Sequence, residues 1–446
     1  MAKEGSAPSG NIEIPQLIDA QPVGRFLIGL AAICGLILAA DGFDTQAIGY
    51  VAPAVVKEWG VDKPALGPGF SAGLFGLLIG SLIAGPLADS IGRRPVLIGA
   101  TAWFGIGTLL TSFAGSLDEM LWLRFLTGLG LGGALPNCVA LVSEYAPKRR
   151  RAVLITSMFC GFSIGAALGG VLASQILPLF GWRAVFWVGG TVPLLLLPFI
   201  FWKLPESLRV LVSKGQLGRI EQVLTRMRTA GKVLAEDLSI PAEDHGQGFP
   251  ISRLFMEGRA APTLFLWLAF FMNLLSLYFM TNWLPIISHD AGLAVGEAIL
   301  VTAMFQTGGT AGGIAVGWFA DTFRPQWVLT GTFLGAALFI AAMGTAGKSY
   351  AILAALSFGA GFSVVGSQIG ANALAGIFYP ASARSTGVGW ALGIGRFGAV
   401  VGPLIGGLLL AMKIPVSTLF LLSAIPSLCA ALSILAMGLT WKRVRR

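Results

Sequence analysis

Long apolar stretches separated by short polar intervals run through almost the whole chain. Each is about 20 residues or longer, the length that an α-helix needs to cross the hydrocarbon core of a bilayer. The pattern predicts twelve membrane-spanning helices, six on each side of one long polar interval. The predicted spans are residues 24–50, 68–88, 95–115, 119–142, 152–176, 183–203, 262–287, 296–320, 326–346, 349–378, 384–411 and 415–438.

The polar intervals divide the chain into two six-helix halves, a linker and two tails. The linker is basic and has apolar residues at helical spacing, which predicts an amphipathic helix lying beside the membrane. The first residues lack the basic start and the small-residue cleavage site of a secretory signal. The predicted parts are an N-terminal tail at 1–23, a first half at 24–203, the linker at 204–261, a second half at 262–438 and a basic C-terminal tail at 439–446.

Composition and charge support an all-α membrane protein. Of 446 residues, 55% are hydrophobic and only 11% charged, against about 25% charged in a soluble domain. If the N-terminus is cytoplasmic, 23 of the 30 Lys and Arg residues fall in inner loops and tails, five in outer loops and two within spans. This asymmetry follows the positive-inside rule and places both termini in the cytoplasm. The net charge of +9 therefore reflects topology, and we expect no nucleic-acid partner.

The sequence contains no arrangement typical of an enzyme or a metal site. No spaced Ser/His/Asp or Cys/His set is present, and the only histidines are His245 and His289. We therefore expect no catalytic residues, no metal and no cofactor other than a coupling ion. The four cysteines lie in apolar segments without metal-ligand or disulfide spacing, as small core residues do: Cys34, Cys138, Cys160 and Cys429.

The two halves repeat each other. The segment Gly85-Pro-Leu-Ala-Asp-Ser-Ile-Gly-Arg-Arg-Pro95 follows the second span, and Gly317-Trp-Phe-Ala-Asp-Thr-Phe-Arg-Pro325 follows the eighth. Tyr145-Ala-Pro147 precedes the fifth span and Tyr379-Pro380 the eleventh. Two parallel six-helix repeats form one large class of secondary transporters, in which the substrate site lies between the halves near the midplane.

The first of these segments resembles the signature of the major facilitator superfamily, and the resemblance implies that superfamily's fold. The signature has an acid and paired basic residues between the second and third helices. Such charges can hold the halves together in one conformation and release them in another. Ser90 stands where the family usually has a basic residue, and the second copy lacks one glycine and one basic residue. The predicted gating residues are Asp89, Arg93, Arg94, Asp321 and Arg324.

Two acids and two arginines lie away from the ends of the predicted spans, where ionised groups are costly and are functional candidates by default. Asp41 and Asp44 are three residues apart and share a helix face, so their mutual repulsion favours a proton on one of them. At about 1.5 Å per residue, Arg124 and Asp44 lie at similar heights, and Arg396 lies nearer the middle of the bilayer. We predict that Asp44 pairs with Arg124 and that Asp41 carries the proton.

Several longer segments are similar to the aromatic acid:proton symporter family, particularly members that carry 4-hydroxybenzoate and protocatechuate. They include Asp41-Gly-Phe-Asp-Thr-Gln-Ala-Ile-Gly-Tyr-Val-Ala-Pro53, Gly133-Ala-Leu-Pro-Asn137 and Arg384-Ser-Thr-Gly-Val-Gly-Trp-Ala-Leu-Gly-Ile-Gly-Arg-Phe-Gly398. The likeness spans almost the whole chain except the tails and the linker. It implies uptake of an aromatic carboxylate with protons, with the first-helix acids essential and Arg124 and Arg396 in the central cavity.

The chemistry of an aromatic acid predicts further substrate contacts. A carboxylate needs a fixed cation, and the planar guanidinium of arginine suits it best. Arg396 is the first candidate and Arg124 the second. Amide and aromatic side chains within the spans are candidates for the ring: Asn137, Tyr278, Trp283, Gln306, Gln368, Asn372 and Trp390.

Three other functions stay open at this point. Exporters of the same superfamily usually carry a glycine-proline motif in the fifth helix, whereas Gly161 to Gly170 contains no proline. An importer of a non-aromatic organic acid is the second alternative. A membrane sensor is the third, although the tails are short and the linker has no globular core. We expect a monomer in the inner membrane, with lipid, protons and a small aromatic carboxylate as its partners.

Overall fold

The computed structural model describes residues 12–227, 238–239, 254–256, 258–379 and 384–444, and it is almost entirely helical. Short helices at Ile14–Ala20, Leu208–Ser213 and Leu217–Met227 accompany twelve long ones. A two-residue strand β1 (Ile12–Glu13) pairs in parallel with β2 (Leu238–Ser239). The long helices are α1 (Arg25–Trp59), α2 (Leu66–Ile91), α3 (Arg93–Thr111), α4 (Leu117–Tyr145), α5 (Lys148–Phe180), α6 (Trp182–Lys203), α7 (Ala260–Asp290), α8 (Val295–Thr322), α9 (Pro325–Met343), α10 (Tyr350–Phe378), α11 (Arg384–Ala411) and α12 (Val416–Val444).

Eleven of these helices, within the described part of the chain, are long and apolar enough to cross a membrane. The twelfth, α3, has 19 residues and begins with Arg93 and Arg94, which lower its apolar content. The helix α12 extends to Val444, six residues beyond the predicted end of the last span at residue 438. The predicted tail residues 1–11 and 445–446 and the linker segments 228–237 and 240–253 lie outside the described residues.

The same three helix pairings occur in both halves. In the first half α1 packs against α5, α2 against α4 and α3 against α6. In the second half α7 packs against α11, α8 against α10 and α9 against α12. The internal repeat in the sequence therefore corresponds to a repeated arrangement of helix contacts, which is the architecture of the major facilitator fold.

Small residues allow these pairs to approach closely. Gly128 and Gly132 on α4 lie against the backbone of α2, and Gly130 and Gly133 lie against α3. A side chain at Gly128 would collide with the Gly73 carbonyl. The glycines of the fourth-helix motif therefore serve close packing on two sides of α4, as small residues do between membrane helices.

The two halves meet at one end of the bundle. We call the end that carries Arg25, Lys203 and Arg259, where the linker joins the halves, the linker end, and the opposite end the far end. Helix α1 contacts α7, α2 contacts α11 and α5 contacts α8. Among the described residues, no comparably extensive contact joins α4 to α10 or α11.

Specific contacts place these junctions toward the far end. The hydroxyl of Ser71, near the start of α2, donates a hydrogen bond of 2.7 Å to the Val400 carbonyl. Lys63 and Asp290, in the far-end loops, form an ion pair of 2.6 Å. The halves are thus joined at the far end and separated toward the linker end.

Candidate functional site

The two acids of α1 are both buried inside the first half. Asp44 is 0% exposed and Asp41 is 2% exposed. On the same helix, Gly42 lies against the Phe162 backbone of α5. This close approach fixes the rotation of α1, and with it the direction in which each acid points. The two carboxylates consequently meet different partners.

Asp44 forms a buried ion pair with Arg124. The guanidinium donates from Nη1 to Oδ1 at 3.1 Å and from Nη2 to Oδ2 at 2.5 Å. The Asp44 Oδ1 atom also accepts a hydrogen bond of 2.5 Å from Thr108 on α3. The Arg124 guanidinium lies 5.7 Å from the centroid of the Phe186 ring on α6. This cluster joins four helices of the first half and contains the predicted Asp44–Arg124 pair.

Asp41 lacks such a partner. Its Oδ1 atom accepts a hydrogen bond of 3.1 Å from Thr45, one turn later on the same helix. The charge of Arg396 on α11 acts on Asp41, and the charges of Asp41 and Arg396 both act on Tyr278 of α7. Arg396 and Tyr278 are partly exposed. Among the described residues, neither Asp41 nor Arg396 of the second half is held in an ion pair.

Three amide side chains of the second half are linked by hydrogen bonds. Asn273 on α7 donates a hydrogen bond of 2.8 Å to Gln368 Oε1 on α10. Gln368 in turn donates to Asn372 Oδ1 at 3.2 Å. The structure thus brings the predicted residues Gln368 and Asn372 together. Asn273 was missed by the sequence analysis, although an amide within an apolar span was the available signal.

Polar side chains also lie where α1 meets α7. Gly49 packs against the backbone of Thr281 and Asn282, and Gln306 on α8 is 3.5 Å from the Thr281 hydroxyl. One turn before Gly49, Gln46 is 0% exposed, and neither atom of its amide has a hydrogen-bond partner. A buried unpaired amide costs about 1–3 kcal/mol, which marks Gln46 as a residue that the sequence analysis overlooked.

Three of the predicted substrate-binding residues contact other parts of the protein. Trp283 is fully buried, and its Nε1 donates to the Pro403 carbonyl at 2.9 Å, in the packing of α7 against α11. Trp390 is 40% exposed and stacks on Trp267 with ring centroids 5.8 Å apart. Asn137 donates 2.8 Å to the Gly133 carbonyl of its own helix. The structure does not bring these three together with Arg396.

Among the described residues, the predicted gate residues of the first half contact that half and the start of the linker, but not the second half. Arg93 lies 3.0 Å from Glu144 on α4, and Arg94 donates a short hydrogen bond to the Phe201 carbonyl on α6. The Glu206 carboxylate accepts from the backbone N–H of Arg93 at 2.8 Å. Glu144 and Glu206 are partners that the sequence analysis did not name.

The other predicted gate residues make fewer contacts. Asp89 and Arg324 are exposed, and the side chain of Asp321 lies outside the described residues. Gly92, between α2 and α3, has a φ of 116° and lies directly beside the Glu206 carboxylate. Because only glycine adopts this conformation readily, the turn that presents the basic pair depends on it.

The described residues contain no group of three or more His, Cys, Asp or Glu side chains that could hold a metal ion. The ionisable groups at the centre are instead two acids and two arginines. Such a set can exchange a proton and bind an anion.

Comparison with known proteins places the chain in a family. Residues 34–293 and 266–446 match the model of the Major Facilitator Superfamily. The chain is 39% identical over 430 residues to the 4-hydroxybenzoate transporter PcaK of Pseudomonas aeruginosa, covering 96% of each chain. It is 40% identical over 431 residues to a gallate transporter of Pseudomonas putida, covering 96% of this chain and 95% of the relative. The fold resembles a D-xylose-proton symporter, with a TM-score of 0.72 at 19% identity, over 94% of this chain and 98% of that one.

Proposed function

Because the chain belongs to the major facilitator superfamily of membrane transporters, we propose that it is a proton-coupled symporter that imports a small aromatic carboxylate by alternating access. The relatives named above are transporters of 4-hydroxybenzoate and gallate, which are both small aromatic carboxylates. The observation that carries the proposal is the unequal pairing of the two α1 acids. Asp44 forms an ion pair with Arg124, whereas Asp41 accepts only a hydrogen bond from Thr45 among the described residues, and the charge of Arg396 in the second half acts on it.

Uptake of such a substrate needs an energy source. A benzoate-type acid is an anion at neutral pH, and an inside-negative membrane potential opposes its entry by about 2.3 kcal/mol per 100 mV. One proton carried with the anion cancels this charge. A second proton would allow the membrane potential to assist uptake.

Competition for Arg396 couples the proton to the substrate. When Asp41 is ionised, its charge offsets that of Arg396 and disfavours a second carboxylate. When Asp41 takes up a proton, Arg396 becomes an uncompensated cation near Tyr278. The substrate carboxylate then binds Arg396 through paired N–H donors. Proton and anion therefore bind together and leave together.

The Asp44–Arg124 pair serves a different purpose in this mechanism. Because both partners are buried and hydrogen-bonded to each other, the pair acts as a fixed structural contact. The pair holds α1 against α4 and fixes the position of Asp41 one turn away. We therefore assign Asp41 as the proton carrier and Asp44 as a positioning residue.

Alternating access requires that the halves separate at one end while they join at the other. In this structure they are joined at the far end. We propose that the protein lies in the inner membrane with the linker end in the cytoplasm, so that this conformation faces inward. The 23 basic residues of the inner loops and tails support this orientation.

Uptake of labelled 4-hydroxybenzoate into proteoliposomes tests the proposal. An imposed pH gradient, acidic outside, should drive accumulation above the external concentration, and a protonophore should abolish it. Competition by gallate, benzoate, 3-hydroxyphenylpropionate and a non-aromatic diacid would define the substrate class. Accumulation that persists in the presence of the protonophore would contradict proton coupling. Uptake driven only by an acidic interior would indicate an antiporter instead.

A further inference from the structure

A groove at the linker end lies outside the transport site. It runs between the first turns of α1 and the end of α6 and has a volume of about 930 Å³. The linker helix Leu217–Met227 closes its mouth with Arg226 and Met227. The groove thus touches two helices of the first half and the linker helix, and nothing in the mechanism above uses it.

The walls of the groove are apolar and open. On α1 they follow one helical stripe, which includes Gly29, Ile33 and Leu36. Phe199 and Trp202 of α6 form the opposite wall and are 43% and 71% exposed. A side chain added at Gly29 would meet nothing within 4 Å. An exposed apolar channel of this kind, in a membrane-spanning bundle, faces lipid.

The mouth of the groove is basic. Arg25, Lys203 and Arg226 all line it, and all three are exposed. No acidic residue lines the groove, and among the described residues none of the three has an ion-pair partner within 4.0 Å. Three basic side chains at the membrane edge form a site for a phosphate or another compact anion.

The dimensions fit one leaflet of a bilayer. From Arg25 to Leu36, α1 rises roughly 16 Å at 1.5 Å per residue, and half of a hydrocarbon core is about 15 Å. The charged mouth therefore lies at headgroup depth while the apolar walls extend toward the bilayer midplane. A free anion could use only the mouth of this groove.

From this combination of charge and depth, we infer that the groove binds an anionic glycerophospholipid, with its phosphate at Arg25, Lys203 and Arg226 and one acyl chain between α1 and α6. The bound lipid bridges α1, α6 and the linker helix. The inference is independent of the transported substrate.

Native mass spectrometry of the purified full-length protein, titrated with phosphatidylglycerol or phosphatidylcholine, tests this site. Each basic residue near an anionic headgroup contributes about fivefold to binding. The double variant Arg25→Gln/Lys203→Gln should therefore bind phosphatidylglycerol about 25-fold more weakly. Arg150→Gln/Arg219→Gln changes the net charge equally, outside the groove, and should bind as the wild type does.

A variant that fills the groove without changing its charge provides a second test. Gly29→Leu fills the apolar channel and should remove the tightly bound phosphatidylglycerol. Gly99→Leu, at an exposed glycine of α3 with nothing within 4 Å, should not. Equal binding of both lipids, or loss of binding in the control variants, would overturn the inference. Displacement of the lipid by millimolar glycerol phosphate would show a site for a free phosphate rather than a lipid.

Discussion

Arg124 on α4 binds both carboxylate oxygens of Asp44 on α1, at 3.1 and 2.5 Å. Asp41, one turn earlier on the same helix, accepts a hydrogen bond only from Thr45 in the described structure. Two acids of the same type, three residues apart, therefore have different electrostatic surroundings. One is held in a fixed pair, and the other is available for a proton.

This difference predicts the behaviour of Asp41→Asn. The amide mimics a permanently protonated acid, so Arg396 should still bind substrate while the proton can no longer be released. In proteoliposomes, accumulation driven by a pH gradient should fall to the level of passive equilibration, whereas exchange of internal for external substrate should persist. Asp118→Asn removes an exposed acid from the first turn of α4, worth about 0.3–1 kcal/mol, and should accumulate substrate nearly as the wild type does. Accumulation retained in Asp41→Asn would rule out its role as carrier.

The Asp44–Arg124 pair predicts a loss of stability. Arg124→Ala leaves a buried carboxylate without its cation, which costs about 3–5 kcal/mol, and should lower the melting temperature strongly. The double variant Asp44→Asn/Arg124→Gln removes both charges and should recover part of that loss. Thermal unfolding in detergent measures all three proteins. Additive losses in the double variant would mean that the two residues do not stabilise each other.

Substrate affinity should depend on the shape of the Arg396 side chain as well as its charge. Arg396→Lys keeps the charge but loses the paired N–H donors, and a hydrogen bond to a charged group contributes about 1.5–3 kcal/mol. The KM for 4-hydroxybenzoate should therefore rise about tenfold or more. Arg183→Lys, in a half-exposed ion pair with Glu58, serves as a control with little expected effect. An unchanged KM in Arg396→Lys would remove this residue from the carboxylate site.

Replacing Gln46 should change the melting temperature and the uptake rate in opposite directions. Its amide is fully buried and has no hydrogen-bond partner among the described residues, so Gln46→Leu removes an unpaired polar group at similar volume. The melting temperature should rise, by the equivalent of about 1 kcal/mol, while the uptake rate falls because the amide finds partners only when the halves move apart. Gln306→Leu, whose amide lies 3.5 Å from the Thr281 hydroxyl, should not gain stability. A lower melting temperature in Gln46→Leu would contradict this explanation.

Much of the central site followed from hydropathy and helix geometry. The rise per residue placed Asp44 and Arg124 at similar heights on α1 and α4, and the structure joins them. The same reasoning could not identify Thr108, which donates to Asp44 from α3, because a threonine in an apolar span carries no signal of its own. Trp283 shows the opposite case. Its residue type suggested a contact with substrate, but in the structure it packs against Pro403 between α7 and α11.

Hydropathy and charge along the chain are enough to predict the twelve long helices, their grouping into two repeated halves, and the acids and arginines inside the spans. The length of an apolar run and the cost of an ion in hydrocarbon depend on local sequence. Which acid is paired and which is not depends on how the helices pack. The rotation of α1 depends on where Gly42 meets the α5 backbone, and a contact between distant segments is not encoded in any single span.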